Sequence, residues 1–158
     1  MPLGTKQVFL TRLTDTSSTD KEGVGTLRRE GNKVYKYVKY DAGAGAVAAV
    51  AGNICYYTKD DVASKGYENH VVTSDLSDSY NLGAGVLQAA IPDTYFGWIQ
   101  IRGYALITPA LTAGADGNAL TPVGATDGTL DVSALVTDAI CAFAADVTAK
   151  KIICMFPE

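Results

Sequence analysis

The chain has 158 residues, of which 47% are hydrophobic and 19% charged, so it is globular and forms one domain, or one domain with an arm. A domain of this size needs no metal or disulfide for stability, and its three cysteines, none in C-x-x-C spacing, are expected to be buried free thiols in a reducing compartment. We expect no membrane span and no signal peptide, because no apolar run is long enough and the start of the chain lacks an apolar core.

The net charge of −4 is unevenly distributed along the chain. Residues 1–40 hold eight Lys or Arg and four Asp or Glu, whereas the remainder holds five and thirteen. Phosphate contacts need concentrated positive charge, so this balance argues against nucleic acid as a partner of the whole domain. The asymmetry indicates that the N-terminal part meets an acidic surface on its own domain or on a partner, or that both parts are simply solvated.

The first 21 residues are predicted to form an arm that precedes a β-domain at residues 22–158. Within the arm, Gln7–Leu13 alternates weakly and predicts a short strand, and the polar run Thr14–Lys21 predicts a loop. Such a strand can add to an exposed sheet edge of a partner while contributing little to the stability of its own domain. The alternative is an ordinary first strand of the domain's own sheet or of a trimer mate's sheet.

The arm supplies most of the candidate interface residues. Phe9 is expected to fill a pocket on the partner, with the cationic groups of Lys6 and Arg12 meeting acidic groups at its rim. Tyr95, at the turn of a later hairpin, is a further candidate because tyrosine is enriched at protein interfaces. The full set of predicted partner or subunit interface residues is Lys6, Val8, Phe9, Leu10, Arg12 and Tyr95.

Two hairpins are predicted in the body of the chain. Gly25–Tyr40 turns at Glu30-Gly31-Asn32, and its lysines are expected to protect an exposed edge. Gly85–Ile107 turns at Pro92-Asp93-Thr94, and its second half is apolar on both faces. Trp98 is therefore expected to be buried in the middle of a sheet, whereas Gly97 and Gly103 mark bulges or close approaches.

The remaining strands are predicted from shorter apolar runs. Ile54–Thr58 and Tyr67–Thr73 are expected as strands, with polar loops at 60–66 and 74–81. Residues 131–148 fit a helical stripe, but Ile140–Ala145 and Lys150–Phe156 fit two closing strands, which we favour. The predicted fold class is all-β, a compact antiparallel β-barrel or sandwich with the N-terminal arm.

No group of residues predicts catalysis, so we do not expect an enzyme. His70 has no nucleophile or second ligand at a suitable spacing, and no catalytic residue, cofactor or metal ligand is predicted. The glycines at 43 and 45 superficially match a dinucleotide fingerprint, but no doubly wound βαβ pattern surrounds them. A turn of small residues explains them better.

Three stretches taken in order resemble the capsid decoration, or cement, proteins of tailed bacteriophages and related capsid-associated proteins. They are GTLRREGNKVYKYVKYDAGAG, AGVLQAAIPDTYFGWIQIRGYA, and GNALTPVGATDGTLD leading into the ICAFAAD and KKIICMF segments. The resemblance covers residues 22–156 and is sharpest at Tyr95–Gln100, followed by Gly103. The arm has no clear counterpart, which leaves its role open.

The resemblance implies an all-β, homotrimeric structural protein on the outer capsid surface of the virion, assembled in the host cytoplasm, with the major capsid protein as its partner. A trimer at a threefold or quasi-threefold site would link three capsomers against the pressure of packaged DNA. A rival function is a carbohydrate- or receptor-binding β-domain of a head fibre or tail, with Tyr56, Tyr57 and Tyr95 as an aromatic platform. A small β-barrel enzyme is a weaker alternative.

Overall fold

The computed structural model describes residues 7–59 and 66–158. Ten strands dominate it, beside one short helix, α1 (Gly66–Asn69), and a 3₁₀ turn at Leu76–Asp78. The strands are β1 (Leu27–Glu30), β2 (Lys33–Tyr40), β3 (Ile54–Thr58), β4 (Val71–Thr73), β5 (Ser79–Leu87), β6 (Phe96–Leu106), β7 (Ala119–Thr121), β8 (Asp131–Val132), β9 (Ala142–Asp146) and β10 (Lys151–Met155). The predicted all-β fold class is confirmed.

Five strands close into a ring in the order β2-β4-β3-β5-β6, because β6 returns to pair with β2. Every pair in the ring is antiparallel except β2–β4, which is parallel. The remaining strands extend this ring: β1 flanks β2, and β10, β9, β7 and β8 follow one another from β6. The molecule is therefore a partly closed barrel with a sheet extension at the C-terminal end.

The long strand β6 organises the sheet because three strands pair with it. Gln100 has β2 on one edge and β5 on the other, whereas Arg102 has β2 on one edge and β10 on the other. Strands β5 and β10 thus follow each other along the same edge of β6. The main core lies on one face of β6, where Ile99 and Ile101 point, and a smaller aromatic cluster lies on the opposite face around Trp98.

Both predicted hairpins are confirmed. β1 and β2 are joined at Gly31-Asn32, and β5 and β6 are joined through a turn in which the Tyr95 N–H donates to the Pro92 carbonyl at 3.0 Å. Gly103 has a φ of +86°, and a Cβ there would lie 2.9 Å from the Asn32 carbonyl oxygen, so the predicted close approach of another backbone is real.

The C-terminal prediction of two strands is also confirmed, since β9 and β10 pair antiparallel. All three cysteines are buried free thiols, as expected.

The close approach predicted at Gly97 is made by a side chain and not by a backbone, because a Cβ at this position would meet the Ile91 side chain at 2.7 Å.

Three local predictions are wrong. Gln7–Leu13 forms no strand, although its side chains alternate in burial. The stretch Tyr67–Thr73 divides into α1 and the short β4, because His70 adopts a positive φ of 55° between them. β2 is not an exposed edge, since it pairs with β1, β4 and β6, and Lys36 is buried within the sheet instead of protecting it.

The polar stretches also differ in detail. Most of the loop predicted at 60–66 lies outside the described residues. The loop predicted at 74–81 contains the 3₁₀ turn and already includes the start of β5 at Ser79. Asp75 caps that turn by accepting a hydrogen bond from the Ser77 N–H at 3.0 Å.

Candidate attachment surface

Residues 7–21 lie on the outer face of β2 and β6 and cover the small aromatic cluster. Trp98 and Tyr37 are completely buried there, and Phe9 and Leu13 pack against them. The rings of Phe9 and Trp98 meet edge to face with centroids 5.5 Å apart. This geometry is favourable beyond the burial of area. The N-terminal segment is thus packed on its own domain.

Hydrogen bonds fix the segment at Thr11, which is buried. The Trp98 indole N–H donates to the Thr11 hydroxyl at 2.9 Å, and that hydroxyl donates to the Glu22 carboxylate at 2.7 Å. The Thr11 N–H donates to the same Glu22 oxygen, and Arg28 donates to the Thr11 carbonyl at 3.0 Å. Every polar group of Thr11 therefore has a partner.

Arg28 completes this anchor from β1. Its guanidinium lies 4.9 Å from the centroid of the Phe9 ring and forms an ion pair with Glu30 at 2.5 Å. Further along, the backbones of Ser17 and Phe96 exchange hydrogen bonds of 3.1 and 2.8 Å, an isolated antiparallel bridge. The segment is held at both ends, by the anchor near Thr11 and by the bridge at Ser17.

The outward side of the segment is apolar and exposed. Val8 is 80% exposed and Leu10 76% exposed, and Arg12 is exposed beside them, whereas Phe9 and Thr11 point inward. Among residues 7–59 and 66–158, the backbone groups of Val8 and Leu10 form no hydrogen bond. An ordered stretch that bends at Leu10 and Thr11 thus presents two apolar side chains, and backbone groups without a partner among the described residues, to the surroundings.

The other predicted interface residues are distributed differently. Lys6 lies outside the described residues. Phe9 contacts Trp98 of its own domain, so it is placed as an anchor. Tyr95 is partly exposed at the β5–β6 turn, next to the Ser17–Phe96 bridge, and its carbonyl accepts the Tyr40 N–H at 2.8 Å. Val8, Leu10, Arg12 and Tyr95 therefore have exposed surface, whereas Phe9 is half-buried.

A second exposed apolar surface lies on the C-terminal sheet and was not predicted. Tyr104 and Leu106 of β6 and Met155 of β10 are exposed on its outer face. The Lys151 ammonium lies 4.5 Å from the centroid of the Tyr104 ring. The alternation of the segments RGYALI and KKIICMF contains the signal, because every second residue points inward, and most of the residues that point outward are apolar as well.

The predicted aromatic platform for sugars is wrong in two of its three members. Tyr56 is buried and its hydroxyl bonds to the Thr129 carbonyl, and Tyr57 is buried beside Lys36. Exposed aromatic rings occur elsewhere, at Tyr67 and Tyr80, which meet edge to face with centroids 6.1 Å apart.

The loop that superficially matched a dinucleotide fingerprint binds the chain's own carboxylates. The Gly45 N–H donates to Asp75 at 2.8 Å, and the Ala44 N–H donates to Asp78 at 3.1 Å. Hydrogen bonds, chiefly from the Ser77 hydroxyl, hold the pKa of Asp75 below its ordinary value. The amide groups that would cradle a phosphate are therefore occupied by side chains of the fold.

Lys36 is a buried amine that the sequence analysis assigned to an exposed edge. It is 2% exposed, and its ammonium lies 2.8 Å from the Tyr57 hydroxyl. Burial lowers the pKa of Lys36 below 10.5. The pKa of His70 is also lowered, chiefly by burial of the imidazole and secondly by the nearby charge of Lys36. The His70 Nδ1 atom is buried and has no partner among the described residues.

The depressed pKa of Lys36 predicts a pH-dependent effect on stability. Between the lowered pKa and 10.5 the unfolded chain binds more protons, so the Lys36 contribution to the unfolding free energy rises with pH across that window. We expect Lys36→Met to be more stable than wild type at pH 7, by about 1 kcal/mol or more, because it removes a desolvated charge. The difference should shrink as the pH approaches 10.5.

Urea denaturation at pH 7 and pH 10 measures this effect. Lys21→Met, at an exposed position, controls for the gain in hydrophobicity, and Tyr57→Phe tests the lost hydrogen bond. A Lys36→Met variant that is less stable than wild type by the same amount at both pH values would contradict the prediction.

No helix among the described residues is long and apolar enough to cross a membrane. Over the same part of the chain, no three His, Cys, Asp or Glu side chains come together in a group that could hold a metal ion. Comparison of the chain with family models, with curated proteins and with solved structures finds no match.

Proposed function

We propose that the chain is a structural virion protein that decorates and stabilises the outside of a phage capsid, with the major capsid protein as its partner. The observation that carries the proposal is the two-sided N-terminal segment. Phe9 and Thr11 fix it to the domain, whereas Val8 and Leu10 point outward, and their backbone groups bond to no residue that the structure describes. We name the outward residues Val8, Leu10 and Arg12 the attachment row.

The attachment row is suited to binding a sheet edge or groove of another protein. An extended segment that is already ordered loses less conformational entropy on binding than a mobile one. Its backbone can add as a strand, its apolar side chains can enter pockets, and Arg12 can pair with an acidic group at the rim. These are contacts of a binding and assembly protein, and they require no catalytic group.

The capsid is stabilised because several such contacts are linked to one another. We propose a homotrimer at threefold or quasi-threefold sites, so that three attachment rows engage three capsomers at once. Each contact is weak, but coupling raises avidity by about 10²–10⁴ where the geometry permits simultaneous binding. The exposed face around Tyr104, Leu106 and Met155 provides a separate apolar surface with which copies can meet.

A second candidate function is recognition of a carbohydrate or receptor from a head fibre or tail. It is favoured by the exposed Tyr67–Tyr80 pair, because tyrosine rings combine an apolar body with a polar hydroxyl. Glycan binding by the isolated domain that is lost in Tyr80→Ala would support this function over decoration.

The proposed function is tested by counting copies in the particle. Purified virions from the source of the chain are analysed by quantitative mass spectrometry, and purified protein is mixed with heads that lack it. Decoration requires hundreds of copies per particle and saturable binding to the heads. A dozen copies would place the protein at a vertex or tail, and an absence from virions would overturn the proposal. Light scattering of the free and bound protein tests the trimer.

A further inference from the structure

A groove of about 490 Å³ runs beside β1 and is separate from the attachment row. Gln7 and Phe9 of the N-terminal segment form one wall, and Leu27 and Arg29 of β1 form the other. β1 is the first strand of the sheet order and pairs only with β2. The groove therefore follows an open sheet edge.

The register of β1 shows which backbone groups face the groove. The Tyr37 N–H donates to the Thr26 carbonyl, and β1 then pairs Arg28 with Tyr35 and Glu30 with Lys33. In an antiparallel ladder the bonded pairs alternate, so Leu27 and Arg29 direct their N–H and C=O groups away from β2. No residue in the described ranges bonds to these groups. They form a short template for an added strand.

The side chains along this edge define what would bind. Leu27 and Arg29 are two residues apart and so point to the same face of β1, one apolar and one cationic. The Arg29 side chain is 66% exposed, and its ion pair with Glu158 is loose, at 3.6 Å. In contrast, Arg28 is already paired with Glu30 and stacked over Phe9. Arg29 is thus the cation left for a ligand.

The charge around the groove favours an acidic occupant. Of the described residues that line it, Arg29 alone is charged. Opposite charges on facing positions of neighbouring strands attract, and like charges repel. An apolar residue opposite Leu27 and an acidic residue opposite Arg29 would lie two positions apart on the added strand.

We propose that the open edge of β1 is a peptide-binding site, which takes an extended segment of a partner protein that has an apolar and an acidic residue two positions apart. The segment adds to β1 by backbone hydrogen bonds to Leu27 and Arg29. Its apolar side chain lies beside Leu27, and its carboxylate meets Arg29 on the same face. The site requires neither the capsid assignment nor a trimer.

Two labelled peptides test the site on the full chain. The first has the sequence Ser-Thr-Val-Thr-Glu-Thr-Val-Thr-Ser, which offers an apolar residue two positions from Glu for either strand direction, and the second replaces Glu with Lys. We expect fluorescence polarisation to show tighter binding of the Glu peptide, and hydrogen exchange to slow at the Leu27 and Arg29 amides when it binds. Arg29→Glu should weaken binding of the Glu peptide about fivefold and reverse the preference toward the Lys peptide.

Lys150→Glu, at the β9–β10 turn, is the matched control with the same change in charge and should retain the wild-type preference. Equal binding of both peptides by wild type, absence of binding at millimolar concentration, or protection confined to amides outside β1 would overturn the proposal. Protection of Leu27 and Arg29 that rises with protein concentration without peptide would also overturn it, since a second copy would then be the occupant.

Discussion

Trp98→Ala is expected to destabilise the protein by about 3–5 kcal/mol, because truncation of a fully buried tryptophan leaves a cavity. The effect extends beyond the cavity. Phe9 loses its edge-to-face partner, and the Thr11 hydroxyl loses the hydrogen bond that it accepts from the indole N–H. For a chain of this length the melting temperature should fall by roughly 6–20 °C.

Circular dichroism during urea denaturation measures this change, since the substitution removes the only tryptophan. Trp98→Phe is the matched control: it retains most of the ring volume but cannot donate to Thr11, so a smaller loss of about 1–2 kcal/mol is expected. A melting temperature of Trp98→Ala equal to that of wild type would mean that Trp98 is not a packing centre.

Deletion of residues 2–20 is expected to destabilise the domain strongly, by about 3 kcal/mol or more, because it uncovers the aromatic cluster and removes Phe9, Thr11 and Leu13. The sequence alone left open whether this segment is an arm that adds little stability or a first strand of the fold. Trp98 fluorescence should shift to longer wavelength in the truncated protein as water reaches the indole ring.

Two single variants at neighbouring positions test the inward and the outward side of the N-terminal segment separately. Phe9→Ala should lower the melting temperature, because Phe9 packs on Trp98, whereas Val8→Ala should leave it unchanged, because Val8 is exposed. If the truncation and Phe9→Ala both melt like wild type, the segment does not contribute to the fold and its packing on Trp98 is irrelevant in solution.

Alternation and turn chemistry were sufficient to predict the two hairpins. The Pro92 turn and the two-residue Gly31-Asn32 connection impose local geometry, and the faces of β6 follow from the two-residue period of a strand. These signals are local. The closing of the ring is not, because the pairing of β2 with β6 joins residues about sixty positions apart in the chain.

The N-terminal segment shows why the candidate site was only partly predictable. The sequence showed only a weak alternation, and the cover that the segment gives to Trp98 depends on side-chain partners such as Glu22 and Arg28. Those partners replace the ladder that a strand would have used, so an extended segment was mistaken for a strand. Phe9 was accordingly assigned to a partner although its own domain binds it.

Lys36 was misassigned for a related reason. Lysine in a strand usually marks an exposed position, yet β2 has neighbouring strands on both edges. The Lys36 side chain points to the buried side, where its ammonium donates a hydrogen bond to the Tyr57 hydroxyl. Its neighbours across the sheet are Leu27 of β1 and Ile99 of β6, and the second of these pairings joins segments that are far apart in the chain. No local pattern in the sequence indicates it.

Co-sedimentation of the double variant Val8→Ser/Leu10→Ser with heads that lack this protein tests the account most directly. Both side chains are exposed and outside the aromatic cluster, so the variant should fold and melt like wild type. We predict that it nevertheless fails to sediment with the heads, whereas wild type saturates them. Full binding by the stable double variant would contradict attachment through Val8 and Leu10.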